Sequence, residues 1–327
     1  MPPESWRSLL IIGLVFPAHI LVGVGSIPVA LYYLLIVQSR VAWALACVYA
    51  PFYASKAHRG KAALPGWQAS AVAKRLWLWY NSQGHCIDYF PRFQSHLQRF
   101  KDAQADGSKQ YIVAVHPHGL AIFSRLFWQT DRCAFLTRKW RIIAANALFY
   151  VPVVRELTLL FGAVGASRAT FETLLRSGCN VVVYPGGLDE ANSITDGSIV
   201  TLRLRKGFVR LAVGHGVDIL PMFVFGELET LSAVRPLPEV VSKWLQKNFR
   251  ISTTLFIGRF WLFVPRRVPF DLVVGKPITV TQRDAGAAFD VELEKVYLAY
   301  KAEMVLLFEE NKQKFGYANR KLVLVES

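Results

Sequence analysis

Two histidines bracket a proline in Tyr111-Ile-Val-Ala-Val-His-Pro-His-Gly-Leu120. Imidazole titrates near neutrality, so a ring beside a reacting hydroxyl can take its proton and later return it. Apolar, mostly β-prone residues run straight into the pair, and Pro117 and Gly119 cut the run off. This predicts a buried strand over Tyr111–Val115 that ends abruptly, with His116 and His118 at its carboxyl end. Residue 116 precedes a proline, which biases it to extended backbone, and Gly119 permits a tight exit. Open α/β sheets form their ligand crevice at this end of the strands. A zinc site would need further ligands. His85 and His215 lack a matching spacing, so no metal is expected.

A second strand-to-turn junction lies in Val181-Val-Val-Tyr-Pro-Gly-Gly-Leu-Asp-Glu190. Gly186 and Gly187 let the backbone approach a ligand, and their amides can face a developing oxyanion. Asp189 or Glu190, just past the turn, could orient a histidine and favour its charged form. Phe225-Gly-Glu-Leu-Glu229 is a third strand end, bringing Glu227 and Glu229 toward the crevice. Gly119, Gly186, Gly187 and Glu227 are therefore grouped as oxyanion- and substrate-binding candidates. Arg203, Arg205, Lys206 and Arg210 surround Gly207 at the expected start of a helix, where basic side chains suit phosphate oxygens. Arg168, also before a helical stretch, is a weaker candidate of that kind. The chain has no G-x-S-x-G elbow, no G-x-x-x-x-G-K-[ST] loop and no G-x-G-x-x-G after a strand, which disfavours a serine hydrolase and the common nucleotide folds.

The elements that must hold these residues alternate. Strand-like runs fall at Tyr111–Val115, Arg141–Ala144, Phe161–Val164, Val181–Tyr184, Ile219–Phe225 and Asp271–Val274. Helical spacing is clearest over Ala169–Arg176 and Arg203–Val213, and a long terminal helix runs from Glu292 to Lys312. The pattern predicts an α/β fold, a mostly parallel sheet flanked by helices.

The remaining chain is unusual in composition. Of 327 residues, 53% are hydrophobic, and the formal charge is +15. Basic chains meet nucleic acid, anionic lipid or phosphorylated substrates. No nucleic-acid motif is visible, so membrane surface and phosphorylated co-substrate come first. Cys47, Cys86, Cys133 and Cys179 are widely spaced, which argues against a disulfide framework. Residues 8–39 lack Asp, Glu, Lys and Arg, and a second uncharged run covers Val41–Ser55. A span needs about 20 apolar residues, so the expectation is a membrane hairpin turning near Gly25, with its basic flanks on the cytosolic side. Trp67, Trp77, Trp79, Tyr80, Tyr89 and Phe90, interleaved with basic residues, suit the headgroup zone or an aromatic core equally. The expected organisation is an anchor at 1–55, an interfacial segment and linker at 56–110, and a catalytic domain at 111–327.

From Trp79 onward the sequence resembles the type-2 diacylglycerol acyltransferase family, which includes monoacylglycerol and wax-alcohol acyltransferases. The resemblance rests on the 111–119 motif, Pro152-Val-Val-Arg-Glu156, Tyr184-Pro-Gly-Gly187 with Glu190, Arg205-Lys-Gly-Phe208, Phe225-Gly-Glu227, Val264-Pro-Arg-Arg-Val-Pro269, Val274-Gly-Lys-Pro-Ile278 and Lys314-Phe-Gly316. It implies a glycerolipid-acyltransferase-like sheet and an integral endoplasmic-reticulum enzyme, often on lipid droplets. Such an enzyme moves a fatty acyl group from acyl-CoA, its co-substrate, to diacylglycerol. It implies His118, His116 and Glu190 as the catalytic residues, with no other cofactor. Related phosphate-acceptor enzymes carry an aspartate five residues after the histidine; here Ala121 and Phe123 stand at those positions. Monoacylglycerol or a fatty alcohol as acceptor, and a non-catalytic membrane lipid-binding protein, are the rival readings. Whether the chain forms a homo-oligomer is left open.

Overall fold

The computed structural model describes residues 28–55, 57–59, 89–103, 109–129, 136, 139–152, 154–160, 162–187, 190, 198–234, 237–238, 240–242, 244 and 255–326. Its centre is a seven-stranded sheet. The strands are β1 (Phe93–His96), β2 (Tyr111–His116), β3 (Trp140–Ala144), β4 (Ala163–Gly165), β5 (Asn180–Val183), β7 (Asp218–Phe225) and β10 (Phe270–Val274). They lie in the order β1-β10-β7-β2-β5-β3-β4, and every neighbouring pair is parallel except β10 with β7. Between them run β6 (Ile199–Leu204), β8 (Ser232–Val234) and β9 (Leu255–Ile257), and β11 (Lys321–Glu326) follows. These four form two separate pairs, β6 with β11 and β8 with β9.

β2 is buried along its whole length, as an apolar strand covered on both faces must be. Side chains alternate between faces, so Val113 and Val115 meet an aromatic layer that includes Tyr89, Phe90, Phe123, Trp128 and Phe270. Ile112 and Ala114 meet the other layer, built on helices α4 (Arg168–Arg176), α5 (Gly207–His215) and α6 (Ala287–Asn311). Among the described residues three α-helices precede these: α1 (Arg40–Ala54), α2 (Gln98–Asp102) and α3 (Val154–Leu160). Ser167 caps α4 by accepting from Thr170 N–H at 3.2 Å, and Gly216 ends α5 in a left-handed conformation.

The register sets the site. β2 pairs with β7 through His116↔Phe223, but its pairing with β5 stops at Ala114↔Val183. Val115 and His116 therefore extend past β5, opening a notch at the carboxyl end. The chain leaves β2 toward β3 on one side and reaches β7 on the other, so this is also where the strand order reverses.

One expectation needs correction. Arg203 and Leu204 do not begin a helix; they end β6, and α5 starts at Gly207. Val200, Leu202 and Leu204 are buried while Thr201 and Arg203 are not, a period of two rather than 3.6. The partner of β6 is β11, which is distant in sequence and left no local signal. At the N-terminus, among the described residues no helix is long and apolar enough to cross a membrane. All of residues 8–27, including the expected turn near Gly25, lie outside the described part, as do Trp67, Trp77, Trp79 and Tyr80. α1 is 15 residues long, roughly 22 Å at 1.5 Å per residue. It leaves Val41, Trp43, Leu45 and Val48 exposed. Tyr49 Oη donates to Glu156 Oε2 at 2.7 Å, and Arg155 Nη2 to the Ser55 carbonyl at 3.0 Å.

Two glycines separate backbone need from mere permissiveness. Gly226 has φ +103°, and a Cβ there would lie 2.1 Å from the Pro269 carbonyl oxygen. Nothing lies within 4 Å of a Cβ built on Gly207, in the first turn of α5. Gly226→Ala is expected to cost about 3 kcal/mol or more, from strain and overlap together. Gly207→Ala should be neutral or stabilising by up to about 1 kcal/mol. Thermal unfolding of the two variants should move in these opposite senses.

Candidate active site

Glu190 is the hub of the notch. Its carboxylate, 1% exposed, faces the His116 ring, which is fully buried. His116 Nδ1 lies 2.9 Å from Glu190 Oε2, and the same oxygen accepts from the Arg203 backbone N–H at 2.8 Å. The other oxygen, Oε1, accepts from the backbone N–H of His118 at 2.5 Å. Burial opposes the charge on this carboxyl. The His116 ring and the two amides outweigh that penalty, so Glu190 titrates below the usual carboxylate range. A carboxylate can only accept, so His116 Nδ1 carries a proton toward it. His116 Nε2 is buried without a hydrogen-bond partner among the described residues.

His118 is held differently. Its ring is only partly buried, and its Nδ1 lies 2.8 Å from the Gly119 carbonyl. A carbonyl also only accepts, so Nδ1 bears the hydrogen and Nε2 is left with its lone pair. Burial lowers the imidazole below its ordinary value of 6.5, outweighing the Gly119 bond and the nearby Glu190 charge. A neutral ring with a free Nε2 is the form a general base needs.

Glycines make room for the carboxylates. A Cβ on Gly186 would lie 2.0 Å from Glu190 Oε2, so only glycine lets that side chain reach His116. Gly119, at φ +62°, passes equally close to Glu227, whose Cγ lies 2.5 Å from where a Cβ would sit. Glu227 is fully buried and does not face the crevice as a ligand. Its two oxygens accept from the Phe123 and Ser124 backbone N–H groups, each at 2.7 Å. Burial pushes its carboxyl up to about 7, even though those bonds favour the charge. Gly187 donates its N–H to the Tyr184 carbonyl at 3.3 Å. Tyr184 stands edge-on to the His118 ring, centroids 6.1 Å apart, with its hydroxyl 3.2 Å from Ser124 Oγ.

The basic candidates separate. Arg203 supplies its backbone to Glu190, and its Nε is buried without a partner among the described residues. The Arg205 guanidinium lies 3.9 Å from a Cβ built on Gly187. Lys206 Nζ pairs with Glu294 at 2.5 Å and sits 4.6 Å from the Tyr297 ring centroid. Arg168 is not with them. It follows the edge strand β4 and pairs with Glu172 at 2.8 Å. Asp189, the alternative orienting acid, lies outside the described residues. Tyr300 on α6 had no signal in the motifs, yet its ring centroid lies 6.2 Å from that of His116 and its hydroxyl is buried without a partner among the described residues. Among the described residues no group of His, Cys, Asp and Glu is placed to hold a metal ion.

The chain is similar to several known proteins. The chain is 32% identical over 250 residues to the diacylglycerol O-acyltransferase 2 of Bos taurus and to that of Homo sapiens. The match covers 70% of this chain but 67% and 62% of those relatives, so the chain spans about two thirds of their length. It is 31% identical over 249 residues to the 2-acylglycerol O-acyltransferase 3 of Homo sapiens, covering 70% of this chain and 71% of that one. It is 31% identical over 270 residues to the acyl-CoA wax alcohol acyltransferase 2 of Mus musculus, covering 77% of each. A family model described as diacylglycerol acyltransferase matches residues 34–325, which take in every strand and helix of the sheet and the whole of the notch. The chain belongs to the diacylglycerol acyltransferase family.

Proposed function

We propose that the chain is an acyl-CoA-dependent O-acyltransferase that transfers a fatty acyl group to the free hydroxyl of diacylglycerol, forming triacylglycerol. The observation that carries this reading is the buried Glu190 carboxylate, which fixes the His116 ring and the His118 backbone at once. His118 Nε2 takes the proton of the acceptor hydroxyl as its oxygen attacks the thioester carbonyl. The tetrahedral intermediate collapses, the C–S bond breaks, and the CoA sulfur leaves with the proton that His118 returns. No covalent acyl-enzyme is needed. His116 and Glu190 hold the loop and its charge in place from beneath. The amides of Gly119 and Gly186 are the candidates for the developing oxyanion, since Gly187 N–H already donates to Tyr184. Arg203 and Arg205 are the candidates for CoA phosphates; Lys206 is tied to Glu294, and Arg168 lies at the far edge.

The acceptor is a lipid, so the chain should work at a bilayer. The exposed apolar side chains of α1 support a membrane anchor within residues 1–55, and we place it as a hairpin in the endoplasmic reticulum with the catalytic part toward the cytosol. Relatives named for 2-acylglycerol and for wax alcohol favour monoacylglycerol and a fatty alcohol as alternative acceptors. Membranes containing the chain, given labelled acyl-CoA and a panel of acceptors, separate these. Label in triacylglycerol supports the first reading, and label confined to wax ester or diacylglycerol overturns it.

The histidine and its hub are tested together. His118→Ala should lower the acyl-transfer rate about 100- to 10,000-fold with the protein still accumulating in membranes. Glu190→Gln should reduce kcat by about 100-fold with little change in the KM for acyl-CoA, because an amide cannot serve the same set of donors. A rise in KM alone would make Glu190 a binding residue.

The depressed His118 fixes the acidic limb of the pH profile. The base stays neutral as pH falls to the ordinary value of 6.5, so kcat should decline only below it. A midpoint above 6.5 would remove His118 as the base.

Glu227 predicts a stability effect. Between the ordinary carboxylate value of 4.5 and its own value of about 7, the folded chain keeps a proton that the unfolded chain has released. Its contribution is therefore complete below pH 4.5 and is lost as pH rises toward 7. About two and a half pK units correspond to roughly 3 kcal/mol. The Tm of the wild type should fall between pH 5 and pH 7.5 more steeply than that of Glu227→Gln. Parallel curves would show that this carboxyl titrates normally.

A further inference from the structure

The turn Arg259–Leu262 projects three large apolar side chains away from the protein. Trp261 is 84% exposed, Phe260 62% and Leu262 59%. Both aromatic residues have left-handed backbone, φ 55° at Phe260 and 60° at Trp261, a conformation that bulky residues avoid. The turn is nevertheless rigidly built. Gly258 N–H donates to the Leu262 carbonyl at 2.8 Å, and Arg259 N–H to Val264 at 2.6 Å. Gly258 has to be glycine here, because a Cβ would lie 1.9 Å from the Val264 carbonyl oxygen. Below the tip Val264 is buried, and Phe256 and Phe263 pack on the aromatic core. Neither burial nor internal pairing accounts for a strained turn that presents Phe-Trp-Leu to its surroundings.

The surroundings of the tip identify what it meets. Arg259 lies in the turn, 4.8 Å from the Phe260 ring centroid, and Arg266 and Arg267 follow the tip in the chain; Arg266 Nη2 lies 2.9 Å from Ser232 Oγ and Arg267 Nε donates to the Tyr89 carbonyl at 2.8 Å. Aromatic and leucine side chains above a basic collar fit the headgroup zone of an anionic bilayer. The net charge of +15 has the same sense. Position agrees as well. β10 runs antiparallel to β7, so the segment that feeds β10 leaves from the end of the sheet where β2 delivers His116. α1 contacts Tyr150 and Glu156, which follow the carboxyl end of β3, so its apolar side chains lie at that same end.

We propose that Phe260, Trp261 and Leu262 form a second membrane contact, a wedge that enters the interfacial layer of an anionic bilayer and, with α1, turns the catalytic end of the sheet toward the lipid. The wedge adds to the N-terminal tether and is independent of the transferase chemistry, since a catalytically inactive chain would insert it equally.

The test uses the full chain reconstituted in phosphatidylcholine vesicles with and without phosphatidylserine. With Cys47, Cys86, Cys133 and Cys179 replaced by serine, bimane is attached at Trp261→Cys and, as a control at the amino end of β2, at the exposed position Lys109→Cys. Lipid spin-labelled near the headgroup should quench the probe at 261 at least about threefold more than the probe at 109, and more strongly with phosphatidylserine present. In the chain with its native cysteines, brominated lipid should quench total tryptophan emission less in Trp261→Phe than in the wild type. This second measurement stands if the cysteine-free chain does not fold. Equal lipid quenching at the two positions, with no change in Trp261→Phe, overturns the proposal. So does cross-linking of Trp261→Cys between two chains without lipid quenching, which would assign the tip to self-association.

Discussion

A charged carboxylate in a dry interior is tolerable only when its oxygens are filled by donors. The architecture depends on Glu190 meeting that condition. Its donors come from β2, from the loop after β2 and from β6. The first two are near neighbours in the chain and the third is distant, and one small anion draws them together. The same device recurs wherever a connection must be fixed to the sheet. Glu227 holds the Phe123–Ser124 loop, Glu303 receives Lys276 N–H at 2.8 Å, and Asp218 receives Val280 N–H at 3.0 Å. A buried acid on a regular element thus serves as the clasp for an irregular one, satisfying amides that would otherwise lie unpaired.

This arrangement explains which features local patterns revealed. The ends of β2, β5 and β7 were legible because an apolar run, a proline or glycine and a polar residue follow one another within a few positions. That was enough to bring His116, His118, Glu190, Gly186 and Glu227 to one end of one sheet. The roles inside the site were less legible. Glu227 reads as a crevice acid by its position, but it turns inward because Gly119 has no side chain to exclude it. Arg203 reads as helical until β11 is known, since a strand whose partner lies more than a hundred residues later carries only its own alternation. Tyr300 reaches the site from a helix whose charged residues dominate its pattern.

The aromatic layer has a second consequence for the reading of composition. Tyr89, Phe90, Phe123, Trp128 and Phe270 fill the face of the sheet opposite α4, α5 and α6. Their bulk is explained by packing, so aromatic richness alone does not mark a membrane contact. Exposure combined with backbone strain is the sharper criterion, and it singles out a tip that composition could not.

Finally, β6 is gripped from both edges. Glu190 takes the Arg203 amide on one side, while β11 pairs along the other through Val325↔Arg203. The parallel pairing of Lys321–Glu326 is therefore an outer support of the notch. Without β11 the chain would keep both imidazoles and the glutamate, yet the strand that donates an amide to that glutamate would lose the partner along its other edge.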